Sequence, residues 1–171
     1  MLSLIIFRHA KSDWNTDSIG DHDRPLTQRG ERAARTMGNF LSAIGKIPDL
    51  ALTSPAKRAY DTLDLASRQG SWGCSIMTKP EIYENDIDHV IKLLHSFRKD
   101  PKSLLITGHE PTCSQIVSFF TGGSKIYFPT GTMAKIDFDL DSWVDIESGN
   151  GELRWLMPPK LLTRSGADFK P

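Results

Sequence analysis

Strands alternating with helices along the chain predict an α/β protein: a three-layer α/β/α sandwich on a mainly parallel sheet with an antiparallel edge. Three observations carry that prediction. Short, continuously apolar runs recur at residues 2–7, 50–53 and 104–107, the pattern of strands buried on both faces. Between them lie longer stretches whose apolar residues follow helical spacing. Each apolar run also leads directly into basic chemistry, the first into Arg8-His9, the second through Thr-Ser-Pro-Ala-Lys to Arg58, the third into Gly108-His109. In a parallel sheet those three ends lie side by side, where open α/β sheets bind ligands.

The elements follow in order. Residues 2–7 form the first strand, and the polar stretch 11–24, with Gly20 and several Asp residues, reads as an active-site loop. A helix then carries Ala33, Met37, Phe40, Leu41 and Ile44 on one face, with Thr27 as N-cap and Gly45 as its stop. After the second strand, Ser54-Pro55 is expected to start a helix, Ser as cap and Pro in the first position. That helix has the stripe Ala59, Leu63, Ala66 and ends at Gly70. Residues 74–78 are a short third strand. Ile87, Ile91, Leu94 and Phe97 mark a further helix before Pro101, and the strand 104–107 precedes a helix over 112–120, stopped by Gly122-Gly123. Residues 133–138 and 152–157 pair as a hairpin across Gly149-Asn150-Gly151. One domain over 1–162 and a tail over 163–171 are expected.

The 171 residues suffice for one substantial core. Equal numbers of basic and acidic side chains, 21 of each, speak against a general nucleic-acid binder. Neither a membrane span nor a secretory signal is expected, because the run at 2–7 is too short and leads straight into Arg8. Cys74 and Cys113 form no metal-type pair and suit a reducing, cytoplasmic setting.

Two arginines and two histidines at three strand ends suit a phosphoryl group. A planar guanidinium pairs bidentately with tetrahedral oxyanions, and two imidazoles can divide the work of nucleophile and charged donor. Arg8 and Arg58 would stabilise charge on the equatorial oxygens. No metal or other cofactor is required by that chemistry. Arg58, about one turn into its helix, is poorly placed for the macrodipole unless an anion binds there.

These motifs resemble the histidine phosphatase superfamily. They are Arg8-His9-Ala10-Lys11-Ser12-Asp13-Trp14-Asn15, Asp23-Arg24-Pro25-Leu26-Thr27-x-x-Gly30, Ser54-Pro55-x-x-Arg58-Ala59-x-Asp61-Thr62 and Gly108-His109. The likeness is greatest to the small SixA-type phosphohistidine phosphatases and implies a phosphoglycerate mutase-like fold. Ala10 and Lys11 depart from the Gly-Glu of the broader family. By the resemblance His9 is the nucleophile, forming a phosphohistidine that water hydrolyses. Arg8, Arg58 and His109 form the phosphate pocket, and Asn15 matches a phosphate-contacting Asn of larger members. Glu84 aligns with the acid those members use as proton donor. The alternative is a helix-terminal carboxylate at Glu84 or Asp86, stabilised by the dipole.

Arg24 is read as loop scaffolding, paired with Asp21 or Asp23, against the alternative of a substrate-facing guanidinium. Trp14 either lines the cleft or anchors the loop. His22, His89 and His95 are expected in solvated or partly packed positions. Only 50 residues separate Arg58 from His109, too few for the capping subdomain of larger members. An uncovered site favours a phosphorylated protein over an enclosed small molecule. The expectation is thus a phosphatase acting on phosphohistidine of a signalling or phosphotransfer protein. A phosphomonoesterase for small molecules or other phosphoprotein residues is the second reading, and a non-catalytic phosphate-binding module the third.

Overall fold

The computed structural model describes residues 1–14, 20–83 and 86–164. Its centre is one six-stranded sheet in the order β3-β2-β4-β1-β5-β6. The strands are β1 (Leu2–Arg8), β2 (Leu50–Thr53), β3 (Ser75–Thr78), β4 (Ser103–Gly108), β5 (Met133–Phe138) and β6 (Gly151–Met157). β3, β2, β4 and β1 run parallel, while β5 and β6 are antiparallel additions beyond β1. The expected mixed sheet is therefore present.

Alternation along the strands builds the two outer layers. Leu2, Leu4 and Ile6 of β1 face one core with α3 (Ile87–Ser96) and α4 (Thr112–Phe120). Ile5 and Phe7 face the other, with α1 (Gln28–Ala43) and α2 (Lys57–Gln69). Because both faces are covered, the run at the start of the chain carries no polar member except Ser3 until Arg8. α1 and α2 touch closely at Gly38, where a Cβ would lie 2.1 Å from the carbonyl oxygen of Ala66. No side chain larger than hydrogen fits that crossing.

Thr27 caps α1 through its hydroxyl, which accepts from the Gly30 amide at 3.0 Å, worth about 1 kcal/mol. Gly45 follows that helix at φ 63°, the left-handed position that ends a helix. α2 begins later than expected. Its first residue is Lys57 and its cap Ala56, so Ser54 does not cap the helix. Arg58 thus stands second in the helix rather than a turn inside it.

The β5–β6 connection also differs. Residues 139–150 include a short 3₁₀ turn at Trp143–Asp145 rather than a tight hairpin. Trp143 is fully buried there and donates to the Pro101 carbonyl at 2.6 Å, so core packing sets the length of the connection. Finally, Pro159–Arg164 form α5, with Leu162 buried on the α1–α2 side. The expected tail from 163 therefore starts inside a helix. Among the described residues no helix is long and apolar enough to cross a membrane.

Candidate active site

β2, β4 and β1 are neighbours, so their carboxyl ends form one continuous ledge. Arg8 lies opposite Gly108 in register, and Thr53 opposite Thr107. His9 continues from β1, His109 from β4, and Arg58 projects from the start of α2 just beyond β2. The structure thus brings Arg8, His9, Arg58 and His109 to one place. The rings of His9 and His109 are 5.1 Å apart and tilted by 54°. Asn15 and Glu84 lie outside the described residues.

His9 is held in one orientation. Its Nδ1 lies 2.8 Å from the carbonyl oxygen of Ala10. A carbonyl only accepts, so Nδ1 carries the proton and Nε2 keeps its lone pair. Burial, reinforced by Arg58, Arg8 and Arg24 and opposed by the Ala10 bond, lowers the His9 pKa to about 4. The imidazole is neutral at physiological pH.

Two interactions fix the segment that carries it. The Ala10 amide donates to Thr62 Oγ1 at 3.0 Å, and the same hydroxyl donates to the Arg58 carbonyl at 2.6 Å. Thr62 therefore couples the His9 segment to the turn bearing Arg58. On the other side, Lys11 presents its carbonyl to the Thr27 amide at 2.9 Å and to the Thr27 hydroxyl at 3.1 Å. Gly30 packs against that carbonyl so closely that a Cβ would come within 2.1 Å of the oxygen. The Thr-x-x-Gly spacing is the imprint of a backbone contact that locks the start of α1 onto the active-site strand.

Ser54, displaced from its expected capping role, faces the site. Its hydroxyl accepts from the Ala56 amide at 3.2 Å and lies 2.8 Å from His109 Nε2. His109 Nδ1 is buried without a partner among the described residues. Burial, then His9 and Arg58, lowers the His109 pKa to about 3, with Asp21 pulling the other way. The charged donor expected from the sequence is thus a neutral imidazole in this structure.

The guanidiniums are held from outside the ledge. Arg8 Nη1 donates to the Phe128 carbonyl at 2.6 Å. Arg58 donates through Nη1 to the Asp21 carbonyl at 2.6 Å and through Nη2 to its carboxylate at 3.0 Å. Arg24, only 6% exposed, pairs with the other Asp21 oxygen at 3.1 Å. The scaffolding reading of Arg24 describes that contact. Arg24 nevertheless lies close enough to depress the His9 pKa, so a third guanidinium belongs to this cluster. Trp14, 68% exposed, lies flat against it, the Arg24 Cζ 3.5 Å from the ring centroid. Although burial acts in the opposite sense, Arg58 and Arg24 hold the Asp21 carboxyl below its usual value. The Nε of Arg8, Arg24 and Arg58 are all buried without a partner among the described residues.

Tyr83 completes the rim. Its ring meets His109 edge-on at 5.7 Å, and its hydroxyl donates to Asp21 at 3.3 Å. Asp21 was expected only as a partner of Arg24 and not of Arg58, Tyr83 was not singled out in the sequence, and Ser54 and Thr62 had no assigned site role. Their places depend on contacts between distant segments. Of the remaining three histidines, His22 meets the Tyr83 ring edge-on at 5.5 Å, while His95 faces the Ile146 carbonyl at 3.2 Å and His89 lies 3.7 Å from Asp86, both away from the ledge.

Basic donors at the carboxyl end of a parallel sheet, gathered around a neutral imidazole with one free nitrogen, define a phosphoryl-transfer enzyme. The chain belongs to the histidine phosphatase superfamily (branch 1), whose sequence profile matches residues 4–123. It is similar to phosphohistidine phosphatase SixA of Escherichia coli K12, with 29% identity over 92% of this chain and 94% of that protein. An uncharacterised Mycobacterium tuberculosis protein is 32% identical over 83% of this chain and 92% of its own length. A solved structure of the protein histidine phosphatase SixA with tungstate superposes with a TM-score of 0.81 at 27% identity. It covers 94% of this chain and 99% of that one. The protein is a hydrolytic phosphatase of the phosphoglycerate mutase-like fold.

Proposed function

We propose that this phosphatase removes phosphate from phosphohistidine on a protein, through a covalent intermediate on His9. The observation that carries the chemistry is the Nδ1–Ala10 bond, which leaves His9 Nε2 unprotonated amid three guanidiniums. In the first step Nε2 attacks phosphorus, a P–Nε2 bond forms, and the bond to the substrate imidazole nitrogen breaks. That imidazole leaves with a proton taken up on its nitrogen. In the second step water attacks phosphorus and gives up a proton, the P–Nε2 bond breaks with its electron pair returning to Nε2, and inorganic phosphate departs with the water's oxygen. Arg8 and Arg58 stabilise the equatorial oxygens in both steps. His109 is kept neutral chiefly by burial and then by its positive neighbours; a bound dianion beside it favours the charged form, so His109 gains a proton and donates to a phosphoryl oxygen.

The substrate class rests on two supports. A phosphorus–nitrogen bond asks little of a general acid, because an imidazole is readily protonated before it leaves. The similar Escherichia coli protein is a phosphohistidine phosphatase. The partner is a histidine-phosphorylated signalling or phosphotransfer protein. The setting is the cytoplasm, where the free thiols Cys74 and Cys113 stay reduced. Side-by-side assays of a phosphohistidine protein and of small alkyl phosphates test the reading. Higher kcat/KM on the protein supports it, and efficient cleavage of alkyl phosphates with none on the protein refutes it.

A further inference from the structure

Beside the catalytic ledge runs an open groove of about 700 Å³ that takes no part in the chemistry above. It lies between the start of α1, the strand-joining segment before β5, and α5. Five cations line it, namely Lys11, Arg29, Arg32, Arg35 and Lys160. No Asp or Glu among the described residues does so. The chain as a whole is neutral, so this is a segregated positive surface and not a sample of the average. Compensating charge lies elsewhere. The β5–β6 connection, at the opposite edge of the sheet, carries Asp139, Asp141, Asp145 and Glu147 and no Lys or Arg.

The cations are also largely unspent. Arg35 lies 3.8 Å from Glu31, but Lys11, Arg29, Arg32 and Lys160 have no ion pair among the described residues. Arg29 sits in the first turn of α1, where the macrodipole disfavours a positive charge and favours a bound anion. Two apolar side chains complete the surface. Tyr127 is 85% exposed and Leu161 56% exposed.

The groove adjoins the site through one wall. Phe128 accepts from Arg8, and the Gly131 amide donates to the carbonyls of Arg8 and His9 at 3.2 and 3.1 Å. Pro129 and Thr130, between them, line the groove. β6 runs parallel to β1, so α5 emerges at the same edge of the sheet as His9. A macromolecule presenting a phosphate to His9 therefore lays its neighbouring surface over these cations.

We infer that this groove docks an acidic surface of the phosphorylated partner protein, next to the phosphorylated residue. The inference rests on the phosphoprotein reading above. Charge complementarity of this kind raises encounter rates and selects among partners more than it changes the chemical step. A small phosphate ester, which fills only the ledge, does not use it.

The test uses two synthetic peptides, each with one central histidine phosphorylated by phosphoramidate. Asp and Glu flank it in one, Ser and Gly in the other. Wild type is expected to favour the acidic peptide by about tenfold or more in kcat/KM at low salt. That preference should fade in 0.5 M salt, where the Debye length falls to a few ångströms (~4 Å). The Arg29→Glu/Arg32→Glu/Lys160→Glu variant should lose it, with hydrolysis of para-nitrophenyl phosphate unchanged, which also reports correct folding. Binding of the same acidic peptide without its phosphate is measured in parallel by fluorescence anisotropy. Binding by wild type and not by the variant supports the docking face even if neither peptide is dephosphorylated, an outcome that refutes only the substrate reading. Equal treatment of both peptides by wild type, or a preference retained in the variant, overturns the inference. So does tighter binding of a single-stranded oligonucleotide than of the acidic peptide. So, too, does acidic-peptide binding that appears only when the chain is ended at Arg164, which would give the groove to residues 165–171.

Discussion

Asp21 grips Arg58 twice, its carbonyl accepting at 2.6 Å and its carboxylate at 3.0 Å. The same carboxylate bridges to Arg24 at 3.1 Å. Two of the three guanidiniums in the site thus share an internal anion. The carboxylate stands where it competes with a phosphoryl group for the same donors.

Neutralising Asp21 should therefore tighten phosphate binding. The pair is partly exposed, so the gain is on the scale of a surface ion pair, about fivefold at most. The inhibition constant of inorganic phosphate, measured for wild type and Asp21→Asn at low salt, reads it directly. Weaker inhibition in the variant would mean that Asp21 chiefly orients Arg58.

Thr62 is a positioning residue, tying Ala10 to the Arg58 turn. Thr62→Val leaves the Ala10 amide buried without its acceptor, at a cost of about 1–3 kcal/mol. The expected signature is a fall in kcat on para-nitrophenyl phosphate larger than any change in KM, with recovery in Thr62→Ser. A variant that loses stability but keeps full kcat would reduce Thr62 to a packing role.

Gly30 predicts a steric penalty. A methyl group there meets the Lys11 carbonyl at 2.1 Å, and backbone cannot step aside as a flexible side chain would. Gly30→Ala should cost about 1–3 kcal/mol in urea unfolding, the scale of overpacking. Unchanged stability would show that α1 shifts freely against the segment after His9.

Both site histidines titrate low, which links folding to pH. An unfolded imidazole binds its proton near pH 6.5, whereas folded His9 does so near 4 and His109 near 3. Between those limits the unfolded state holds more protons. Stability contributed by their burial is therefore complete above about pH 6.5 and is lost as pH falls toward 4 and 3. Each group contributes a slope of at most about 1.4 kcal/mol per pH unit. Urea midpoints between pH 7 and 4 should fall less steeply in His109→Asn than in wild type, and the NMR titration of His9 should show its midpoint near 4. A midpoint near 6.5 would contradict the buried, cation-flanked site.

Much of the ledge was legible because three apolar runs each lead into Arg or His, and a parallel sheet sets such ends side by side. Arg8-His9 and Gly108-His109 stand out against apolar runs, and the register of β1 with β4 sets them side by side. Local signals failed where a side chain had a distant use. Ser54 carries the signature of a cap, yet its hydroxyl faces His109, 55 residues away. Asp21 resembles any loop aspartate until the fold brings α2 to it. The short α5 was missed because its six residues are too few to display a helical period. The basic groove gathers its charges from three separate segments, so no single stretch of the sequence displays it.

The central claim is that His9 Nε2 becomes phosphorylated. It is tested most directly by rapid-quench trapping with ³²P-labelled substrate, followed by mapping of the label. The account predicts acid-labile, base-stable phosphate on His9 in wild type, and turnover reduced by at least about a thousandfold in His9→Ala. Phosphate trapped on another residue, or a His9→Ala protein that turns over normally, would contradict it.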